Sequence, residues 1–150
     1  MKVGLGADHN GFEFKEEIKK YLENTLEVEV VDFGCHSCDA VDYPAVAFEV
    51  GTAINNGEVD RGIIICGTGL GVAIAANKIP GIRAATCHDV YSAERAQLSN
   101  NAQILTMGSQ VIGPEAGKKI VRAYLDVQFK SSHKVQQIID KENEIHNAKL

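Results

Sequence analysis

Cys66 stands at the end of an unbroken apolar run, Ile63-Ile64-Ile65, and is followed at once by Gly67-Thr68-Gly69-Leu70-Gly71. The run reads as a buried strand, the glycines as a turn, and Val72 to Lys78 as a helix. Glycines at such a junction let backbone N–H groups converge on a ligand, and the following helix aims its positive end at the same point. A thiol placed there can be held as a thiolate. The nest of N–H groups opposite it would stabilise an oxyanion. A base beside an oxyanion hole is what proton abstraction next to a carbonyl requires.

Other residues carry two readings. Asp8-His9 closes the first apolar run: it is either a proton shuttle and anion ligand or a cap for the next helix, and the pairing favours chemistry. Gly67, Gly69 and Gly71 could belong to a dinucleotide fingerprint, with Asp89 as the ribose-binding acid. That motif needs a glycine where the chain has Val72, so the nicotinamide reading is the weaker one. Cys35-His36-Ser37-Cys38 has the spacing of half a zinc site or a redox pair, but there is no second Cys-x-x-Cys and a plain loop is the better reading. Lys130, His133 and Lys134 read as a solvated face unless something anionic must be held there.

The elements that would position these residues alternate, strand then helix, which is the sign of a parallel sheet with helices on both faces. Strands are expected at about 2–7, 27–33, 61–66, 82–87 and 103–107. The first helix follows Asn10-Gly11 with a stripe of Phe14, Ile18, Tyr21 and Leu22. Others cover about 43–56, ending near Gly57, then the stretch after the glycine turn, and about 90–99. A fifth follows Gly113-Pro114 and buries Ile120, Val121 and Leu125, and a last one runs over about 133–146. That last helix has its own stripe, Val135, Ile138, Ile139 and Ile145, of the kind that packs on a partner subunit. In an open parallel sheet ligands bind beyond the carboxyl ends of the strands. Asp8 and His9, Gly34 to Asp42, Cys66 to Gly71, and His88 and Asp89 all fall at that edge. The 150 residues fit one domain, 1–150, and a net charge of −5 with no basic stripe argues against nucleic acid. No stretch reads as a signal peptide or membrane span, and the cysteines read as reduced thiols of a cytoplasmic protein.

Gly6-Ala7-Asp8-His9, Val41-Asp42-Tyr43-Pro44, Cys66-Gly67-Thr68-Gly69-Leu70-Gly71, Ala75-Ala76-Asn77-Lys78 and Pro80-Gly81-Ile82-Arg83-Ala84 resemble, over essentially the whole chain, the ribose-5-phosphate isomerase type B and galactose-6-phosphate isomerase (RpiB/LacAB) family. The resemblance implies a Rossmann-like three-layer α/β sandwich on a five-stranded parallel sheet. It implies a homodimer or homotetramer with sites shared across a subunit interface, the C-terminal helix on the partner, and no metal or organic cofactor. It implies that Cys66 moves a proton between C1 and C2 of a phosphorylated sugar through an enediolate, and that Gly67, Gly69 and Gly71 hold the charged oxygen. Asp8 and Thr68 are the further catalytic candidates, and His9, Tyr43 and Asn100 match residues that contact substrate.

The departures from the family pattern bear on the substrate. Pentose-phosphate members carry a ring-opening histidine where this chain has Ser99, and phosphate-binding arginines where it has Gln110, His133 and Gln137. The stretch Tyr91 to Gln103 instead resembles the D-erythrulose-4-phosphate isomerase branch. In a tetrose 4-phosphate O4 is esterified, so no five-membered hemiacetal closes and no ring-opening acid is needed. His9, His133 and Lys134 are then the candidate phosphate ligands, as single donors in place of bidentate forks. Ribose 5-phosphate is the family's usual substrate. Two rivals are a subunit of a hetero-oligomeric galactose-6-phosphate isomerase and a non-catalytic sugar-phosphate-binding protein. A valine at Gly69 or Gly71 is expected to lower turnover at little cost in stability.

Overall fold

The computed structural model describes residues 1–148. The elements run β1 (Lys2–Ala7), α1 (Phe12–Asn24), β2 (Glu29–Asp32), α2 (Tyr43–Asn55), β3 (Arg61–Cys66), α3 (Leu70–Ala76), β4 (Ala84–Thr86), α4 (Val90–Leu98), β5 (Ile104–Gly108), α5 (Pro114–Leu125) and α6 (His133–Ala148). Every strand pair is parallel, in the order β2-β1-β3-β5-β4. The result is the expected Rossmann-like three-layer sandwich. β2 and β4 are shorter than expected because each is an edge strand with a ladder on one side only, and Glu27, in the left-handed region at φ 53°, lies outside β2.

The period of two along the central strands sorts residues between the two faces. Ile63 and Ile65 of β3 join Val3, Leu5, Leu105 and Met107 under α1, α4 and α5. Ile64 and Cys66 point the other way, into a cluster with Ala47 and Val50 of α2 and Val72, Ala75 and Ala76 of α3. Cys66 is therefore the last inward residue on the α2–α3 face, one step before the chain leaves the sheet.

α1 buries Phe14, Ile18 and Leu22 as its stripe predicts, while Tyr21 is half-buried and Lys15 is fully buried. α6 buries only Val135 of its stripe, leaving Ile138 and Ile145 55% and 47% exposed. Among the described residues no helix is long and apolar enough to cross a membrane.

Candidate active site

Strand order reverses direction between β1 and β3: from β1 the chain moves to one sheet edge, from β3 to the other. Such a switch point opens a crevice beyond the carboxyl ends of its two strands. Asp8 and His9 leave β1 there, and Cys66 ends β3 beside them. The Asp8 N–H donates to the Ile65 carbonyl (3.2 Å), which ties the two strand ends together.

The Cys66 side chain is buried, and its Sγ accepts the Gly69 N–H at 3.0 Å. The turn reaches back onto the sulfur because Gly69 sits at φ +78°, ψ −8° as the N-cap of α3. Only glycine adopts this conformation at low cost, and a Cβ here would lie 2.8 Å from the Met107 carbonyl carbon. Gly69 is thus required by the backbone of the turn itself. This corrects the expectation that valine there would spare stability. Gly71 is different: the three atoms nearest to a Cβ there all belong to the Tyr43 side chain, the closest at 2.8 Å. Tyr43, on the first turn of α2, lies over the glycine turn with 42% of its surface exposed. A Cβ on Gly67 would touch the Gln110 amide at 3.3 Å, so Gln110 flanks the turn on its other side.

Among the described residues the N–H groups of Gly67, Thr68 and Gly71 take no hydrogen bond within the chain. They are the donors available to an oxyanion beside the sulfur. The Thr68 hydroxyl accepts the Leu70 N–H (3.3 Å) at the start of α3, which leaves its own proton to donate.

Asp8 has both roles open to it. Oδ1 accepts the Asn10 and Gly11 N–H groups (3.0 and 3.1 Å) and so caps the entry to α1, while Oδ2 has no hydrogen-bond partner among the described residues. His9 Nδ1 accepts the Val41 N–H (3.3 Å), so a neutral ring carries its proton on Nε2. That bond straps the loop after β2 across the site. Cys35 is buried in this loop, where desolvation pushes its thiol up, and Cys38 is exposed. Asp89 accepts the Ser92 N–H at 2.7 Å and N-caps α4, and hydrogen bonding from the Ser92 side chain, then from its backbone, holds the carboxyl below the ordinary range. Its capping role accounts for the acid that the dinucleotide reading assigned to a ribose.

Three candidate residues lie elsewhere. Asn100 follows α4 at the amino edge of the sheet, where the Asn101 carbonyl accepts the Arg83 Nε–H just ahead of β4. His133 and Lys134 open α6 between two anchors at that same edge: Phe129 N–H on Gln97 Oε1, and Glu142 Oε1 on Gly81 N–H. Cys66 pairs with Gly108 at the far end of β5, so the length of that strand, about 13 Å, separates the two groups. Within one chain Cys66, Asp8, His9, Tyr43, Thr68 and the turn glycines come together, and Asn100, His133 and Lys134 do not join them.

A doubly wound α/β sheet with a thiol and a glycine nest at its switch point belongs to a class that comparison with known proteins defines. The family model described as Ribose/Galactose Isomerase matches residues 3–141. The chain is 46% identical over 145 residues to ribose-5-P isomerase B of Listeria innocua, covering 97% of both chains. It is 48% identical over 131 residues to D-erythrulose-4-phosphate isomerase 2 of Mycolicibacterium smegmatis, covering 86% of both. The solved structure of Clostridium thermocellum ribose-5-phosphate isomerase B superposes with a TM-score of 0.92 at 43% identity, over 97% of this chain and 99% of that one. The chain belongs to the ribose/galactose isomerase (RpiB/LacAB) family. It is an aldose–ketose isomerase.

Proposed function

We propose that the chain interconverts a small phosphorylated aldose and its 2-ketose by moving one proton between C1 and C2 through a cis-enediolate, with Cys66 as the base. The observation that carries this reading is the Cys66 sulfur at the switch point, held by one N–H of the glycine turn with further free N–H groups beside it. The thiolate takes the proton from the carbon next to the carbonyl, and that C–H electron pair becomes the C1–C2 double bond. The carbonyl π pair moves onto oxygen, where the N–H groups of Gly67, Thr68 and Gly71 face the developing charge. The sulfur then returns the proton to the neighbouring carbon. Asp8 Oδ2 and the Thr68 hydroxyl are the groups in reach to exchange the hydroxyl proton between the two oxygens. The isomerisation is redox-neutral and calls for no electron acceptor.

The site is completed by a second copy of the chain, which brings Asn100, His133 and Lys134. Their position on the opposite sheet edge supports this, as do Leu70 and Ile74 of α3, 56% and 62% exposed on one helix face beside the glycine turn. The preferred substrate is D-erythrulose 4-phosphate. Relatives named for tetrose and for pentose phosphates match almost equally, so overall identity does not choose between them. Ser99 supports the tetrose: at the end of α4 its Oγ is enclosed without a hydrogen-bond partner among the described residues, and a serine hydroxyl is no acid near neutral pH. A tetrose 4-phosphate asks for none. The test is kcat/KM of the purified single chain on D-erythrulose 4-phosphate and on ribose 5-phosphate. A higher value for the tetrulose is expected, and Ser99→His should raise pentose turnover more than tetrose turnover. A ribose 5-phosphate preference in the unmodified chain contradicts the tetrose assignment, and inactivity on both contradicts the isomerase acting alone.

A further inference from the structure

Gly69 is tied at both ends. Its N–H meets the Cys66 sulfur, and its carbonyl faces two threonine hydroxyls from neighbouring strands. Thr106 Oγ1 lies 2.8 Å and Thr86 Oγ1 3.0 Å from the Gly69 oxygen, and the two hydroxyls lie 2.8 Å from each other. The residues are register partners on β4 and β5. Each hydroxyl has one proton, so two protons serve three short contacts. Either both hydroxyls donate to the two lone pairs of the carbonyl, or one donates to the other and the second to the carbonyl, and in each case the Gly69 oxygen accepts at least one O–H. Thr106 is fully buried and makes the shorter contact with Gly69, so it is the main donor, and Thr86 is the second hydroxyl within reach of the same oxygen.

The same peptide unit is held from its other side, where the Leu70 N–H donates to Thr68 Oγ1. A glycine has the widest choice of φ and ψ of any residue, so its N–H direction is poorly defined unless the flanking peptides are fixed. Here the peptide after Gly69 is fixed at both its oxygen and its nitrogen.

We propose that Thr106, backed by Thr86, is a positioning residue for Cys66. By anchoring the Gly69 carbonyl it holds the Gly69 N–H on the sulfur, so a hydroxyl pair between strands orients the thiol without touching substrate. The proposal rests on the reading of Cys66 as the base, and two readouts separate them. The first is the rate at which iodoacetamide alkylates Cys66 at fixed pH, followed by peptide mass, with the exposed Cys38 as internal reference. The second is kcat and KM on the sugar phosphate.

The Thr86→Val/Thr106→Val chain should alkylate Cys66 about tenfold more slowly relative to Cys38 and lose about tenfold in kcat with KM nearly unchanged, the scale of one lost hydrogen bond. Thr106→Val alone should lose less, because Thr86 still reaches the carbonyl, and Thr106→Ser should restore the original rates. Slower alkylation with unchanged kcat supports the positioning role and overturns Cys66 as base. Unchanged or faster alkylation in the folded double variant overturns the positioning role. If the double variant does not fold, Thr106→Val and Thr106→Ser decide: slower alkylation in valine than in serine supports the proposal, and equal rates overturn it.

Discussion

Gly69 and Gly71 flank a single leucine, and each has its own reason to lack a side chain. Gly69→Ala places a Cβ on a backbone held at φ +78° and against the Met107 carbonyl carbon. The backbone strain alone costs about 1–3 kcal/mol, so melting temperature and activity should fall together. Gly71→Ala presses first on the Tyr43 side chain, which is partly exposed, and not on backbone. It should raise KM while the melting temperature stays within about 2 °C. Equal thermal losses in the two variants, measured by calorimetry, would contradict this division. At this scale the sequence is readable where a rare residue sits in a strained place: three alternating glycines after an apolar strand announce the turn and the thiol. Thr86 and Thr106 carry no such mark, since threonine in a strand is ordinary β chemistry and only the register of β4 on β5 pairs them.

α1 and β2 are locked by an ion pair that helix periodicity does not forecast. The Lys15 ammonium, fully buried, bonds both Asp32 oxygens at 2.8 Å, and Lys19 adds a third contact at 3.0 Å. Asp32 Oδ1 also accepts the Gly34 N–H (2.9 Å), so the pair fixes the start of the loop that His9 straps over the site. Partial burial pushes the Asp32 carboxyl up, but Lys15, the Gly34 N–H and Lys19 outweigh it and hold the group below its ordinary value. A carboxyl lowered in the folded state stabilises above its unfolded value, about pH 4, and that contribution is lost as pH falls through the lower folded value. Asp32→Asn should therefore cost on the order of 3 kcal/mol at pH 7, because it leaves a buried ammonium without its main partner, and the gap to the parent should close below about pH 4. Lys15→Met should cost less. Urea unfolding at several pH values checks both, and a pH-independent difference for Asp32→Asn would contradict the assignment. The strands and helices themselves are legible because the apolar runs and glycine punctuation agree with the fold. Lys15 is not, because a lysine next to Phe14 on α1 looks solvated until β2 brings Asp32 over it.

For the whole molecule, the motifs form one series along the sequence, yet the sheet separates them. Cys66 and Asp8 stand on the carboxyl edge, and Asn100, His133 and Lys134 on the amino edge. Spacing along the chain carries no information about sheet edges; strand direction and order do. If a second copy completes each site, two inactive variants should rescue each other. Mixing Cys66→Ala with Asn100→Ala under subunit exchange gives half heterodimers, each with one intact site, so about a quarter of parental activity should return. Activity no higher than the sum of the separate variants after verified exchange would contradict shared sites.

In the proposed mechanism the Cys66 sulfur carries the proton between C1 and C2. Cys66→Ala removes that group from the edge of the α2–α3 core while leaving the glycine turn in place. The direct measurement is kcat/KM of Cys66→Ala on the sugar phosphate, with folding verified by circular dichroism. Loss of a positioned general base predicts a fall on the order of 10²–10⁴-fold. A folded Cys66→Ala chain that isomerises at close to the parental rate would contradict the mechanism.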